Sequence, residues 1–156
     1  MISHLSAVNS NARRARSSGD WSTFIGCCYH AAEIYSDSGN LLSAFNKYVS
    51  SYVAIMHCKN KGIYEDISKD FNSKEKYEAI FEDISSVGYR MAYHGNFSFK
   101  DLKENYYSNI KLLKETPFSH ESSPDLLSNV NERDIWSRIG GNIRNMIDEK
   151  ISREKN

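Results

Sequence analysis

Apolar residues recur every three or four positions along most of the chain, which is the spacing of one face of an α-helix. The clearest stretch runs from residue 20 to residue 60, where two such patterns flank a Ser-Gly-Asn break at residues 38–40. Glycine favours the left-handed conformation that ends many helices, and asparagine favours the cap position that begins them. The pattern therefore predicts two antiparallel helices joined by a tight turn, a first helical hairpin over residues 20–60.

Each helix of this hairpin has a predicted inward face. Asp20 stands where an N-cap is needed before the first helix. The apolar face of that helix consists of Trp21, Phe24, Ile25, Cys28, Ala31, Ala32 and Tyr35. The second helix begins after Asn40, and its apolar face consists of Leu41, Phe45, Tyr48, Val49, Tyr52, Ile55 and Met56.

Similar patterns predict further helices on both sides of the hairpin. A helix is expected over residues 3–17, a short helical turn over 64–71, and a second helical hairpin over 74–115. Ser98 and Asp101 have the spacing of a capping box for the second helix of that hairpin. After a loop over residues 116–123, one bent helix or two helices are expected over residues 123–152. Gly140-Gly141 implies a close neighbour or a kink there.

These elements predict an all-α fold, a compact bundle of about six to seven helices forming one domain over residues 1–156. Only two prolines occur, and both come late in the chain. The chain is long enough to bury a real core, since a domain of about 150 residues buries roughly 68–70% of its unfolded surface.

Charge and composition narrow the classes of function. Twenty basic residues balance twenty acidic ones, which argues against a dedicated nucleic-acid binder. The one basic cluster, Arg13, Arg14 and Arg16, is interpreted as a solvated helix face. No apolar run reaches the ~20 residues of a membrane span, and the first residues lack the apolar core of a signal peptide. With three cysteines in predicted helices, we expect a cytoplasmic protein with reduced thiols.

The first hairpin contains four side chains that could bind zinc, Cys27, His30, His57 and Cys58. Pairing the two helices about the turn places Cys58 opposite Trp21, about six residues from Cys27. At 1.5 Å per residue that is roughly 9 Å, too far for a tetrahedral zinc site. We expect no metal and no cofactor, with a buried thiol at Cys28 and half-exposed imidazoles.

The sequence lacks the phosphate-binding loop, the nucleophile elbow and the HExxH motif, and carboxylates such as Glu82 and Asp83 are expected on solvent faces. An enzyme is therefore not expected. One alternative is open. Arg90 and His94, four apart near the end of a helix, are similar to the Arg–His motif of HEPN-superfamily ribonucleases, although only three residues intervene here. That resemblance implies RNA cleavage with His94 as acid or base. The other interpretation is that His94 interacts with the helix dipole.

The first hairpin, over residues 28–56, resembles a single tetratricopeptide repeat and the related hairpins of microtubule-interacting-and-transport domains. The residues that carry the resemblance are Ala32, Tyr35, Gly39, Ala44, Tyr48 and Ser51. Met56 stands where the family usually has proline, and no second copy follows in register. The resemblance implies a binding groove lined by Gly26, Tyr29, His30, Glu33, Ser36 and Asp37.

The function expected from the sequence is a non-catalytic module that binds another protein through Tyr29, His30, Glu33, Ser36 and Asp37. It would act either as an adaptor or as an immunity or antitoxin-type inhibitor. The partner's identity and the oligomeric state are left open, and no nucleic-acid partner is expected. Another alternative is an assembly subunit that oligomerises through the C-terminal helix from Arg133 to Ser152.

Overall fold

The computed structural model describes residues 2–62, 71, 73–115 and 130–155. It contains α1 (Ile2–Ser18), α2 (Trp21–Asp37), α3 (Leu41–Lys61), α4 (Lys74–His94), α5 (Phe99–Glu115) and α6 (Glu132–Lys155). No strand occurs among the described residues, so the predicted all-α bundle of about six helices is confirmed. Except for residue 71, the expected turn over 64–71 lies outside the described residues, as do the loop over 116–123 and the predicted helix start over 123–129.

The ends of the helices follow the capping signals in the sequence. Asp20 and Asn40 each accept a hydrogen bond from the backbone N–H three residues later, at 3.1 and 3.3 Å. Gly39 has a φ of 83°, the left-handed conformation that an l-residue with a side chain rarely adopts. At the start of α5, Asp101 N–H donates to Ser98 Oγ at 3.0 Å and Ser98 N–H donates to Asp101 Oδ2 at 3.2 Å. Both halves of the predicted capping box are therefore formed.

Helices α2 and α3 pack against each other as an antiparallel pair. Near the open end the rings of Trp21 and His57 lie 4.8 Å apart, and closer to the turn Ser51 Oγ donates to the backbone carbonyl of Ile25 at 3.1 Å. The residue numbers rise along one helix as they fall along the other. This is the arrangement that the short connection predicts.

Helix α3 is the central helix of the bundle. It packs against α2, α4 and α5, and almost every residue from Tyr48 to Cys58 is buried. The sequence pattern predicts one inward face, but Ser50, Ser51 and Ala54 outside that face are buried as well. Small side chains permit this because neighbouring helices can approach α3 from several directions.

Part of the α3–α5 contact is polar. Asn105 Nδ2 donates to Asn46 Oδ1 at 2.8 Å. Asn109 Nδ2 lies 3.2 Å from the Asn46 carbonyl and 3.3 Å from Ser50 Oγ. These bonds satisfy half-buried amides, which would otherwise be costly to remove from water.

Helices α4 and α5 follow each other along the chain, but α4 packs mainly on α3 and α6 and has few contacts with α5. Helix α6 is one uninterrupted helix that packs on α4 and α5. Of the two outcomes expected for Gly140-Gly141, a close neighbour is the one observed, because a Cβ at Gly140 would stand 2.9 Å from Phe99 Cζ.

All six helices contribute side chains to one apolar cluster. Its largest fully buried members are the aromatic residues Tyr52, Tyr106 and Phe45. None of the described helices combines the length and the apolar character that crossing a membrane requires.

Candidate functional site

Tyr29, one of the residues expected to bind a partner, contacts several other side chains. Its half-buried ring lies 5.6 Å from that of Phe71 and 5.9 Å from that of Tyr48. The Lys76 ammonium stands 4.4 Å from the centre of the Tyr29 ring and 3.4 Å from its hydroxyl. The side chain of Tyr29 therefore lies between α2 and α4, where a cation–π contact with Lys76 stabilises its position.

The other expected residues lie along the outer side of α2. Glu33 and Asp37 are exposed and Ser36 is half-buried. His30 is exposed, and its ring meets that of His4 on α1 at 5.1 Å. His30 thus forms the edge of this surface next to α1, whereas Tyr29 forms the edge next to α4.

An acidic group from α4 joins this surface. Asp83 was expected to face solvent, but its side chain is half-buried. Burial raises the pKa of the Asp83 carboxyl, the negative charge of Glu33 raises it further, and the Lys76 ammonium lowers it. The charge of Glu33 on α2 therefore acts on a half-buried carboxyl of α4, together with the charges of Glu82 and Lys76.

Tyr48 of α3 lies beneath these charges. Its ring is buried, and burial is the main cause of the raised pKa of its hydroxyl. The negative charges of Asp83 and Glu33 raise that pKa further. We call the set formed by Tyr29, Glu33, Asp37, Tyr48, Lys76 and Asp83 the α2–α4 surface.

Sequence reasoning identified the α2 members of this surface and missed Tyr48, Lys76 and Asp83. Helical periodicity relates residues within one helix, but it does not say which side of α4 faces α2. The missing residues become visible only when α4 is placed beside α3.

The residues of the ribonuclease alternative lie elsewhere, near the end of α4. Arg90 and His94 are both exposed. The His94 ring packs edge-on against Tyr93 at 4.8 Å, and the Tyr93 hydroxyl donates a hydrogen bond to Glu154 Oε2 at 2.7 Å. His94 therefore stands where the ends of α4 and α6 meet.

The cysteine and histidine residues are distributed differently from the expectation. His57 was expected to be half-exposed, but it is 2% exposed because Trp21 packs over its ring. Cys28 and Cys58 are buried and Cys27 is half-buried. Among the residues that the structure describes, no group of three or more His, Cys, Asp or Glu side chains is arranged to hold a metal ion.

The three arginines of the basic cluster of α1 differ in their exposure to solvent. Arg13 and Arg14 are exposed, whereas Arg16 is half-buried. Arg16 donates a hydrogen bond to the carbonyl of Leu113 and lies 5.7 Å from the centre of the Phe24 ring. Burial lowers the pKa of the Arg16 guanidinium. Arg16 thus has a structural role in fixing α1 to α2 and α5.

Comparisons with known proteins do not identify a family for this chain. The resemblance of residues 28–56 to tetratricopeptide-type hairpins is supported only by the amino-acid sequence of that segment. A scan of family models gives no match, and searches of curated proteins and of solved structures give no significant match.

Proposed function

We propose that this protein is a non-catalytic module that binds another protein through the α2–α4 surface. The partner would present a segment rich in lysine or arginine. The observation that carries the proposal is the half-buried side chain of Asp83, whose carboxyl pKa is raised by burial and by the charge of Glu33.

A negative charge at a half-buried position near another negative charge destabilises the folded chain. The raised pKa of Asp83 reflects this destabilisation of its charged form. Lys76 offsets part of it, but Lys76 is also held over the Tyr29 ring. A cation from a partner would be attracted by both carboxylates at once. Complementary charges of this kind speed association and favour the correct partner.

Tyr29 supports the same proposal through its contact area. Tyrosine combines a large ring with a polar hydroxyl and is enriched among residues that dominate binding energy. Here the ring is half-buried and fixed by Phe71 and Lys76. A partner would therefore meet a preorganised side chain.

An adaptor and an inhibitor could both use this surface. In an inhibitor, the basic segment would belong to the active site of the partner, and binding would abolish the partner's activity. In an adaptor, that activity would continue in the complex.

A native pull-down with charge-neutral variants tests the proposal. Wild-type protein should retain a stoichiometric partner at low salt, and Glu33→Gln combined with Asp83→Asn should lose it. Asp148→Asn combined with Glu149→Gln is the matched control, because both carboxylates are exposed on α6, outside the α2–α4 surface. A partner held equally well by the double variant would remove the α2–α4 surface from consideration.

A further inference from the structure

A second surface of different character lies between α5 and α6. A cavity of about 540 Å³ opens there, with Phe99 and Trp136 among its apolar lining and Lys100, Lys103 and Arg144 among its charged lining. We call it the α5–α6 cavity. Its volume falls within the range of roughly 300–1,000 Å³ that is usual for small-molecule sites.

The apolar part of the cavity is aromatic and well supported. The rings of Phe99 and Trp136 lie 5.4 Å apart, and Trp136 is buried against Tyr106 at 5.3 Å. The Arg144 guanidinium carbon stands 4.2 Å from the centre of the Phe99 ring. A cation is thus held directly beside an aromatic wall.

The charged part is positive. The cavity is lined by three cations, and no Asp or Glu is among its described lining residues. The nearest ion pair joins Lys100 to Glu104 at 3.9 Å with both side chains exposed, so it neutralises Lys100 only weakly. The carboxylate of Asp101 is occupied by the backbone N–H of Ser98. The lining therefore carries an excess of nearly three positive charges.

Gly140 and Gly141 of α6 both line the cavity. Glycine inside a helix destabilises it relative to alanine. At Gly140 the reason is packing, because a Cβ would press on Phe99. At Gly141 a Cβ would meet nothing within 4 Å, so packing inside the protein does not require glycine there. A flat group placed in the cavity could lie directly against the backbone of α6 at this residue.

We infer that the α5–α6 cavity binds a small molecule that joins a phosphomonoester to an apolar ring. A phosphomonoester carries a charge of about −1.5 to −2 at pH 7, opposite in sign to the charge of the lining. The ring would occupy the space beside Trp136 and Gly141. This site shares no residue with the α2–α4 surface, so a result that contradicts one proposal does not contradict the other.

Phenyl phosphate is the probe for this inference. Titrated into the full chain at low salt and followed by amide NMR, it should bind saturably, with shifts concentrated in residues 99–103 and 136–144. Inorganic phosphate and phenol, which each carry half of the chemistry, should bind at least about tenfold more weakly. Equal binding of inorganic phosphate would overturn the aromatic part of the inference.

Three variants locate the site. Lys103→Ala and Arg144→Gln should each weaken phenyl phosphate about tenfold, the loss typical of one charge-assisted hydrogen bond. Gly141→Leu should abolish binding by filling the cavity, since the structure shows open space there. Arg133→Ala, an exposed cation of α6 outside the cavity lining, is the control and should bind as the wild type does.

Each variant is first compared with the wild type by its amide spectrum, so that loss of fold is recognised. The inference is overturned if folded Gly141→Leu still binds phenyl phosphate, or if the wild type shows no saturable binding up to millimolar concentrations.

Discussion

Gly88 of α4 lies directly against Ile143 of α6. A Cβ at Gly88 would stand 2.5 Å from Ile143 Cδ1, and 3.3 Å from both Ile143 Cγ1 and Phe45 Cε2. We expect Gly88→Ala to destabilise the fold by about 1 kcal/mol, because overpacking of about 1–3 kcal/mol outweighs the gain in helix propensity. Urea denaturation followed by circular dichroism measures the change.

Gly141→Ala provides the matched comparison in another helix interior. A Cβ there meets nothing within 4 Å, so the gain in helix propensity is not opposed. The free energy of unfolding should rise by about 1 kcal/mol. Equal effects of the two substitutions would contradict the close α4–α6 contact.

Asp83→Asn should stabilise the protein at neutral pH. Burial and Glu33 raise the pKa of the Asp83 carboxyl, so its charged form destabilises the fold. We expect a gain of about 0.5 kcal/mol or less, because a half-exposed group is screened by solvent. Thermal denaturation at pH 7 measures it, and the same variant should bind the proposed basic partner more weakly.

The pH dependence of this gain has a definite sign. The folded pKa of Asp83 lies above the value of 3.8 for an unperturbed aspartate, so the unfolded state loses its proton first as the pH rises. The difference between Asp83→Asn and wild type should open above that value and level off above the folded pKa. It should close in more acidic solution, and a gap that widened on acidification would contradict the assignment.

The three thiols should react in two classes. Burial raises the pKa of Cys28 to about 11, and Cys58 is 0% exposed, so neither presents an accessible thiolate. Cys27 is half-buried and its pKa is also raised by burial. A colourimetric disulfide reagent at pH 8 should therefore modify Cys27 alone, and more slowly than a free thiol. Denaturant should release the other two, and fast labelling of all three in the native protein would contradict the packing of α2 on α3.

The ribonuclease alternative has its own test. Under the proposed non-catalytic function, wild-type protein should degrade single-stranded RNA no faster than His94→Ala. Arg90→Ala is the companion variant, and both positions are exposed, so neither substitution should disturb the core. RNA cleavage by the wild type that both folded variants lose would replace the proposed function with a ribonuclease.

Much of the fold was predictable because the signals are local. The positions of Asp20, Gly39, Asn40 and Ser98 mark helix ends to within a residue or two, since a cap needs only its own neighbours along the chain. The helices α4 and α5 were predicted for the same reason, and each buries an apolar face, with Ile80, Phe81 and Ile84 in α4 and Leu102, Tyr106 and Ile110 in α5.

The site was less predictable because it depends on how helices are placed. His57 and Asp83 were assigned too much exposure, since nothing in their own helices reveals that Trp21 covers one and that the other faces Glu33. The polar contact of Asn46 with Asn105 was missed likewise, because helical periodicity registers apolar residues and not paired amides.

Because α3 is surrounded by other helices, its backbone hydrogen bonds should be the last in the bundle to open. Amide hydrogens there can exchange with solvent only when the neighbouring helices separate, whereas terminal turns exchange by fraying. The amides from Val49 to Ile55, all in buried residues, should therefore exchange most slowly, at a rate set by unfolding of the entire bundle. A bound partner or ligand would slow exchange in these amides by stabilising the folded bundle, so this helix can report binding at either surface.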